Sequence, residues 1–226
     1  MERLLLIIDP QHAFCRLKGS LAKAFGHGEL AVIAERVRAL ESFLQGYPYP
    51  NEVVLVRSEY SPGQFTGGDL GHPFSRVCVP GNAADCEWCL SASAFARKRV
   101  VTKFEESAAS APGFLEGMQA LAGGGLSQVL VAGFLTTSCV LKTALDLRSA
   151  LPKSVEVGLL EGLTASRASS YVASAGNVSR HEAALRKMQS AGIRIIPPVR
   201  GDTRDVRHGH SPQARRTCPY RKESIC

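Results

Sequence analysis

The feature that most constrains this chain is a set of short, mostly apolar runs separated by segments of helical period. Residues 4–8, 52–56, 99–102, 128–132, 155–160 and 193–196 are strand-length and rich in Val, Leu and Ile. Between them, Leu30, Ile33, Val37, Leu40 and Leu44 recur at three- and four-residue steps, one face of a helix. Further helices are expected over 114–122, closed by Gly123-Gly124-Gly125, over 138–150, and over 180–191, ended by Gly192. Strands apolar on both sides must be covered on both faces, and strands alternating with helices pair in parallel. The expected fold is therefore α/β: a doubly wound, mostly parallel six-stranded sheet with helices on both faces, a Rossmann-like three-layer domain over 1–199. The stretch 58–98 holds eight Gly/Pro residues without a clear period and is expected to cover the carboxyl end of the sheet, where open α/β proteins bind ligands.

Composition narrows the partners. The formal charge is +7, but residues 200–226 carry seven Lys/Arg against three Asp/Glu, so +4 of it lies in a basic tail expected to be disordered. A nucleic-acid-binding face would spread that charge over the folded domain, so no nucleic-acid partner is expected. The longest apolar run is five residues, Leu4–Ile8, far short of the roughly twenty a membrane helix needs. Met1-Glu2-Arg3 opens nothing like a secretory signal. Seven cysteines, an odd number, read as reduced thiols of a cytoplasmic protein.

Polar residues just past the carboxyl ends of strands in such a sheet converge on one crevice. Asp9 follows the first strand, Lys103 the third, and Cys139 opens the helix after the fourth. A thiol at a helix N-terminus and near an ammonium is expected to be drawn towards thiolate, and a carboxylate can take its proton. Singly each has a bland reading: Asp9 as a turn residue, Lys103 as a solvated side chain, Cys139 as a small core residue.

The residues around these three resemble the isochorismatase-like cysteine hydrolases. Leu5-Leu6-Ile7-Ile8-Asp9-Pro10-Gln11-His12-Ala13-Phe14 is similar to their opening, and Val100-Val101-Thr102-Lys103-Phe104-Glu105-Glu106-Ser107-Ala108 to their lysine segment. The most specific match is the cysteine segment, from Val129 through Gly133-Phe134-Leu135-Thr136-Thr137-Ser138-Cys139 to Ala144. The likeness runs over about residues 3–197 in the same order. It implies Asp9 as base, Lys103 as organiser and Cys139 as nucleophile. It also implies a non-proline cis peptide at Phe134–Leu135, with the N–H groups of Leu135 and Cys139 as an oxyanion hole, and substrate contacts from Gln11, Phe14, Phe134, Thr137 and Ser138. The activity implied is cleavage of a C–N bond in a small amide, ureido or carbamoyl compound through a thioester, without a cofactor, by a homodimer or homotetramer.

Departures from the family sharpen this expectation. Isochorismatases proper lack the cysteine, so Cys139 favours amide hydrolysis over vinyl-ether cleavage. Nicotinamidases carry zinc-binding histidines after the second strand and later. Here the stretches read Arg57-Ser58-Glu59-Tyr60-Ser61 and Val77-Cys78-Val79, so no metal is expected. Cys86-Glu87-Trp88-Cys89 has ligand spacing but no second pair. Glu105 or Glu106, if turned into the pocket, would favour cationic substrates. The rival readings are a non-catalytic binding or scaffolding protein on the same fold, and a vinyl-ether hydrolase.

Overall fold

The computed structural model describes residues 2–48, 52–91, 99–173 and 176–198. The domain boundary at 199 and the basic tail lie outside the described residues. In chain order the elements are β1 (Arg3–Ile8), α1 (His12–Cys15), α2 (Ser20–Phe25), α3 (Ala31–Gln45), β2 (Val53–Ser58), α4 (Ala83–Cys86), β3 (Arg99–Lys103), α5 (Phe114–Gly123), β4 (Gln128–Phe134), α6 (Leu141–Ala150), β5 (Glu156–Ala165), α7 (Arg180–Ser190) and β6 (Arg194–Ile196).

The six strands form one sheet in the order β3-β2-β1-β4-β5-β6, and every pairing is parallel. Side chains alternate across a strand, so β1 feeds two cores. Leu5 and Ile7 pack with Leu21, Ile33, Leu40 and Leu44 on the α1–α3 face. Leu4, Leu6 and Ile8 pack with Phe114, Met118, Leu147 and Met188 beneath α5–α7. The strand order reverses direction between β1 and β4, the place where such sheets open a ligand crevice beyond their carboxyl ends. Asp9 lies at the end of one of these strands, and Leu135 to Cys139 at the end of the other.

Two elements depart from their expected limits in ways that bear on the crevice. The β4–β5 ladder shifts register between Val131 and Gly133, and pairing resumes at Gly133↔Thr164 and Phe134↔Ala165. β5 therefore continues beyond the apolar run to Ala165. The helix expected from 138 begins at Leu141 instead, behind a π-helical turn over Thr136–Val140. Such turns recur at functional sites. Gly133 has φ +105°, and a Cβ there would sit 2.1 Å from the Ile8 carbonyl oxygen. Only glycine lets β4 lie this close to β1 at that point.

Candidate active site

β1 ends in Asp9, whose φ is +50°. This left-handed backbone is costly for a side-chain-bearing residue, though Asp tolerates it better than most. Its amide donates to Val56 O at 2.8 Å, and its side chain is fully buried. Lys103, the last residue of β3, is equally buried and places Nζ 3.1 Å from Asp9 Oδ2. Ser58 Oγ donates to Asp9 Oδ1 at 2.8 Å. Cys139 lies in the π-helical turn, 4 % exposed, with its side chain against both Asp9 and Lys103. The three strand-end residues thus meet at one point, as their places in the sheet predict.

A fourth residue joins them. Tyr60, two positions past the end of β2, is 3 % exposed. Its hydroxyl accepts from Lys103 Nζ at 2.7 Å, stands 2.7 Å from Ser58 Oγ and 3.8 Å from Cys139 Sγ. The signal for it was available, since a phenol just beyond a strand neighbouring β1 points to the same crevice. That stretch is informative in sequence for more than its missing histidines.

The protonation states depart from the expected thiolate. Burial pushes the Cys139 thiol up to about 11; Lys103 opposes the rise and the Asp9 carboxylate adds to it. The helix-terminus argument fails because Cys139 is enclosed and shares its cavity with an anion, and desolvation outweighs the dipole and the ammonium. Burial also raises Asp9, against the pull of Lys103 and Ser58. Desolvation would lower Lys103, but Asp9 and Cys139 hold it above its ordinary value. Burial raises Tyr60 far out of the physiological range. Asp9 and Lys103 stand paired at 3.1 Å beside a thiol and a phenol that burial pushes up.

Cys139 opens into a cavity of about 260 Å³ whose lining includes Phe14, Leu135, Thr137 and Ser138. Gln11 and Phe134 are not on that lining. The Gln11 amide pairs with one backbone unit, donating to Ser58 O at 3.1 Å and accepting from Ser58 N at 2.7 Å. It ties the ends of β1 and β2 together beneath the site. Phe134 is fully buried within the α1–α3 core, and the Phe134–Leu135 peptide that follows it is cis. The loop is held from β5, with Thr164 Oγ1 donating to Gly133 O at 2.7 Å and standing 2.9 Å from Thr136 Oγ1. The lysine segment is held from α6: Ser107 Oγ bonds Asp146 Oδ2 at 2.5 Å and Ala108 N donates to Thr143 Oγ1 at 3.0 Å.

Neither nearby glutamate offers the cavity a free negative charge: Glu105 lies off its lining and Glu106 is ion-paired. Glu105 accepts from Gln64 Nε2 at 3.1 Å outside the cavity. Glu106 does line it, but its carboxylate is taken by Ser138 Oγ and Lys142 Nζ. Burial would raise its pKa, and those two partners hold it below the ordinary value. The side chains around the site do not make up a zinc ligand set. Glu59 pairs with Arg57, Ser61 and the buried Val77 offer no histidine, and among the described residues no three His, Cys, Asp or Glu side chains gather. Cys86 donates to Val79 O at 3.5 Å, whereas Cys89 lies against Cys15. The Cys86/Cys89 spacing does not produce a joint site.

The parallel sheet, covered by helices on both faces, thus carries at its switch point a buried carboxylate–ammonium pair beside a cysteine. The chain belongs to the isochorismatase family, whose Isochorismatase domain model matches residues 3–197. It is therefore an isochorismatase-family hydrolase. Solved structures share the fold. PnC1 of L. infantum, in complex with nicotinate, is 22% identical at TM-score 0.63, over 87% of this chain and 92% of that one. The pyrazinamidase of Pyrococcus horikoshii, in complex with zinc, is 20% identical at TM-score 0.63, over 87% and 99%. A cysteine hydrolase of Pseudomonas syringae pv. phaseolicola is 16% identical at TM-score 0.60, over 91% and 90%. No curated protein sequence matches the chain. Among the described residues no helix is long and apolar enough to cross a membrane.

Proposed function

We propose that the protein is a cysteine amidohydrolase that cleaves the C–N bond of a small amide-like compound without a metal. The carrying observation is Cys139, on the wall of the cavity, beside the buried Asp9–Lys103 pair. The nicotinamidase and pyrazinamidase relatives, amide hydrolases by name, support the reaction class.

In this reading Asp9 takes the Cys139 proton as Sγ attacks the acyl carbon. Lys103 and the Tyr60 hydroxyl hold the sulfur as it becomes negative. The N–H groups of Leu135 and Cys139 receive the oxyanion. The S–C bond forms, the C–N bond breaks, and Asp9 returns its proton to the departing ammonia or amine. Water then attacks the thioester, giving the acid and restoring the thiol. Thr137 and Ser138 would contact substrate, as would Phe14. The unpaired thiols Cys15, Cys78, Cys86 and Cys89 suit a reducing, cytoplasmic setting, and the family resemblance adds a homodimer or homotetramer to the proposal. The test is ammonia release from a panel of amides, ureas and carbamoyl compounds. Cys139→Ala is expected to abolish turnover with the thermal midpoint preserved. Turnover by that variant at the wild-type rate excludes the mechanism, and pyruvate release from an enolpyruvyl ether added to the panel, with no ammonia from any amide, would assign vinyl-ether cleavage instead.

A further inference from the structure

Starting at the nucleophile, a run of ring contacts leads along the cavity. Tyr60 meets Phe65 edge-on at 4.7 Å, Phe65 meets Phe74 at 6.4 Å, and Phe74 meets Phe25 at 5.5 Å. At its far end the Arg167 guanidinium lies 4.0 Å over the Phe25 ring. Arg167 lines the same cavity as Cys139. A guanidinium held against a ring face keeps N–H donors to bond elsewhere. Among the described residues no carboxylate pairs with it.

The charge balance of the cavity points the same way. Glu106 is the one acidic side chain among the described lining residues, and Ser138 and Lys142 already occupy it. Asp9 and Lys103 cancel each other. Arg180, also on the lining, donates to the neutral Ser169 Oγ at 3.3 Å. The charge left for a ligand is positive and sits at the end of the cavity marked by Arg167.

We propose that Arg167 is the anion-binding residue of this pocket. The substrate is then a carboxylate-bearing amide, a monoamide of a dicarboxylic acid, with its spacer against the aromatic wall and its amide carbon at Cys139. The inference rests on the amidohydrolase reading for the reaction, but the binding geometry stands apart from it. Attack by Sγ and loss of ammonia would leave an acyl thioester whose distal carboxylate still rests on Arg167, and hydrolysis would release a dicarboxylate. A planar fork matched to a carboxylate gives two parallel charge-assisted bonds, so the anion is held in one orientation.

Two matched probe pairs test this: succinamate against succinamide, and 4-carbamoylbenzoate against terephthalamide. Binding is measured by calorimetry on the Cys139→Ala protein, and ammonia release on the protein with Cys139 intact. Arg167→Met keeps an apolar side chain on Phe25 while removing the fork. It is expected to weaken binding of at least one anionic probe by roughly 10- to 100-fold, the range of a lost charged hydrogen bond, and to change the neutral partner less than threefold. Arg167→Lys should fall between. Equal effects on both members of each pair, tighter binding of the neutral amides, or no binding of either anion overturns the proposal. Arg167-dependent anion binding without ammonia release would keep the pocket assignment and exclude the amidohydrolase reading.

Discussion

Tyr60→Phe removes a single oxygen from the centre of the site, and its cost follows from three contacts. Lys103 Nζ loses its 2.7 Å bond to that oxygen but keeps Asp9 at 3.1 Å and the Glu105 carbonyl at 3.0 Å. Ser58 Oγ keeps Asp9 at 2.8 Å. The net loss is one bond to a buried ammonium, about 2 kcal/mol, or a fall of roughly 4–8 °C in the thermal midpoint of a domain this size. The third contact, at 3.8 Å from Cys139 Sγ, counts in the reaction. Tyr60 is among the groups that lower the thiol pKa from where burial would leave it, so Phe at this position raises the value further above about 11. If that contact contributes 1–2 kcal/mol to a developing thiolate, kcat/KM falls by about 5- to 30-fold. Iodoacetamide modification of Cys139 at pH 8 falls in parallel. Both rates are measured, turnover by ammonia release and alkylation by mass spectrometry of the Cys139 peptide. Rates within twofold of the unmodified protein would refute the assignment of Tyr60 to the nucleophile.

The pH dependence carries a definite sign. Asp9 must be ionised to accept the thiol proton, and its pKa is raised by burial. Activity therefore falls as pH drops through a value above the ordinary 3.8 of an aspartate. An acid limb at or below that value, in a protein still folded by circular dichroism, contradicts the role. Gly133→Ala places a Cβ 2.1 Å from the Ile8 carbonyl oxygen at φ +105°. Neither backbone can give way within the sheet, so the expected loss is about 3 kcal/mol or more in urea unfolding. An unchanged midpoint would show that β1 and β4 separate freely there.

The sheet was legible because burial on both faces writes strands as uninterrupted apolar runs, and helices as a period that flanks them. β5 was read short for the same reason. Its run breaks at Glu161-Gly162, and the register shift that carries it on to Thr164 and Ala165 is a tertiary event with no local sequence signal. Asp9, Lys103 and Cys139 were readable from strand ends and from the resemblance together. Gln11 was read as a substrate contact, because sequence gives proximity to Asp9 but not which way an amide turns. Its pairing with both backbone groups of Ser58 depends on the spacing of two parallel strands. Tyr60 lies just past a strand end, which points it to the crevice without naming its partners, and Arg167 lies on irregular backbone, where periodicity says nothing and only the folded chain shows what it faces.

The departure from the expected thiolate also explains why so enclosed a site can work. A resting thiolate beside ionised Asp9 would put two anions against one Lys103 in a space from which water is excluded, and such a group protonates instead. With the thiol neutral, Asp9 and Lys103 form the buried pair at 3.1 Å. Moving the proton from Sγ to Asp9 leaves the total charge unchanged and transfers the anion from one neighbour of Lys103 to another. The ammonium is the counter-ion before and after, so the step needs no ion to enter or leave the pocket. The Tyr60 hydroxyl, bonded to Lys103 at 2.7 Å, stays with the cation throughout. In the proposed mechanism the carboxylate, rather than the helix terminus, is the origin of nucleophile activation. Asp9→Asn should therefore cost far more in turnover than any change in the first turn of α6, and Lys103→Met should leave Asp9 protonated and equally unable to accept the proton.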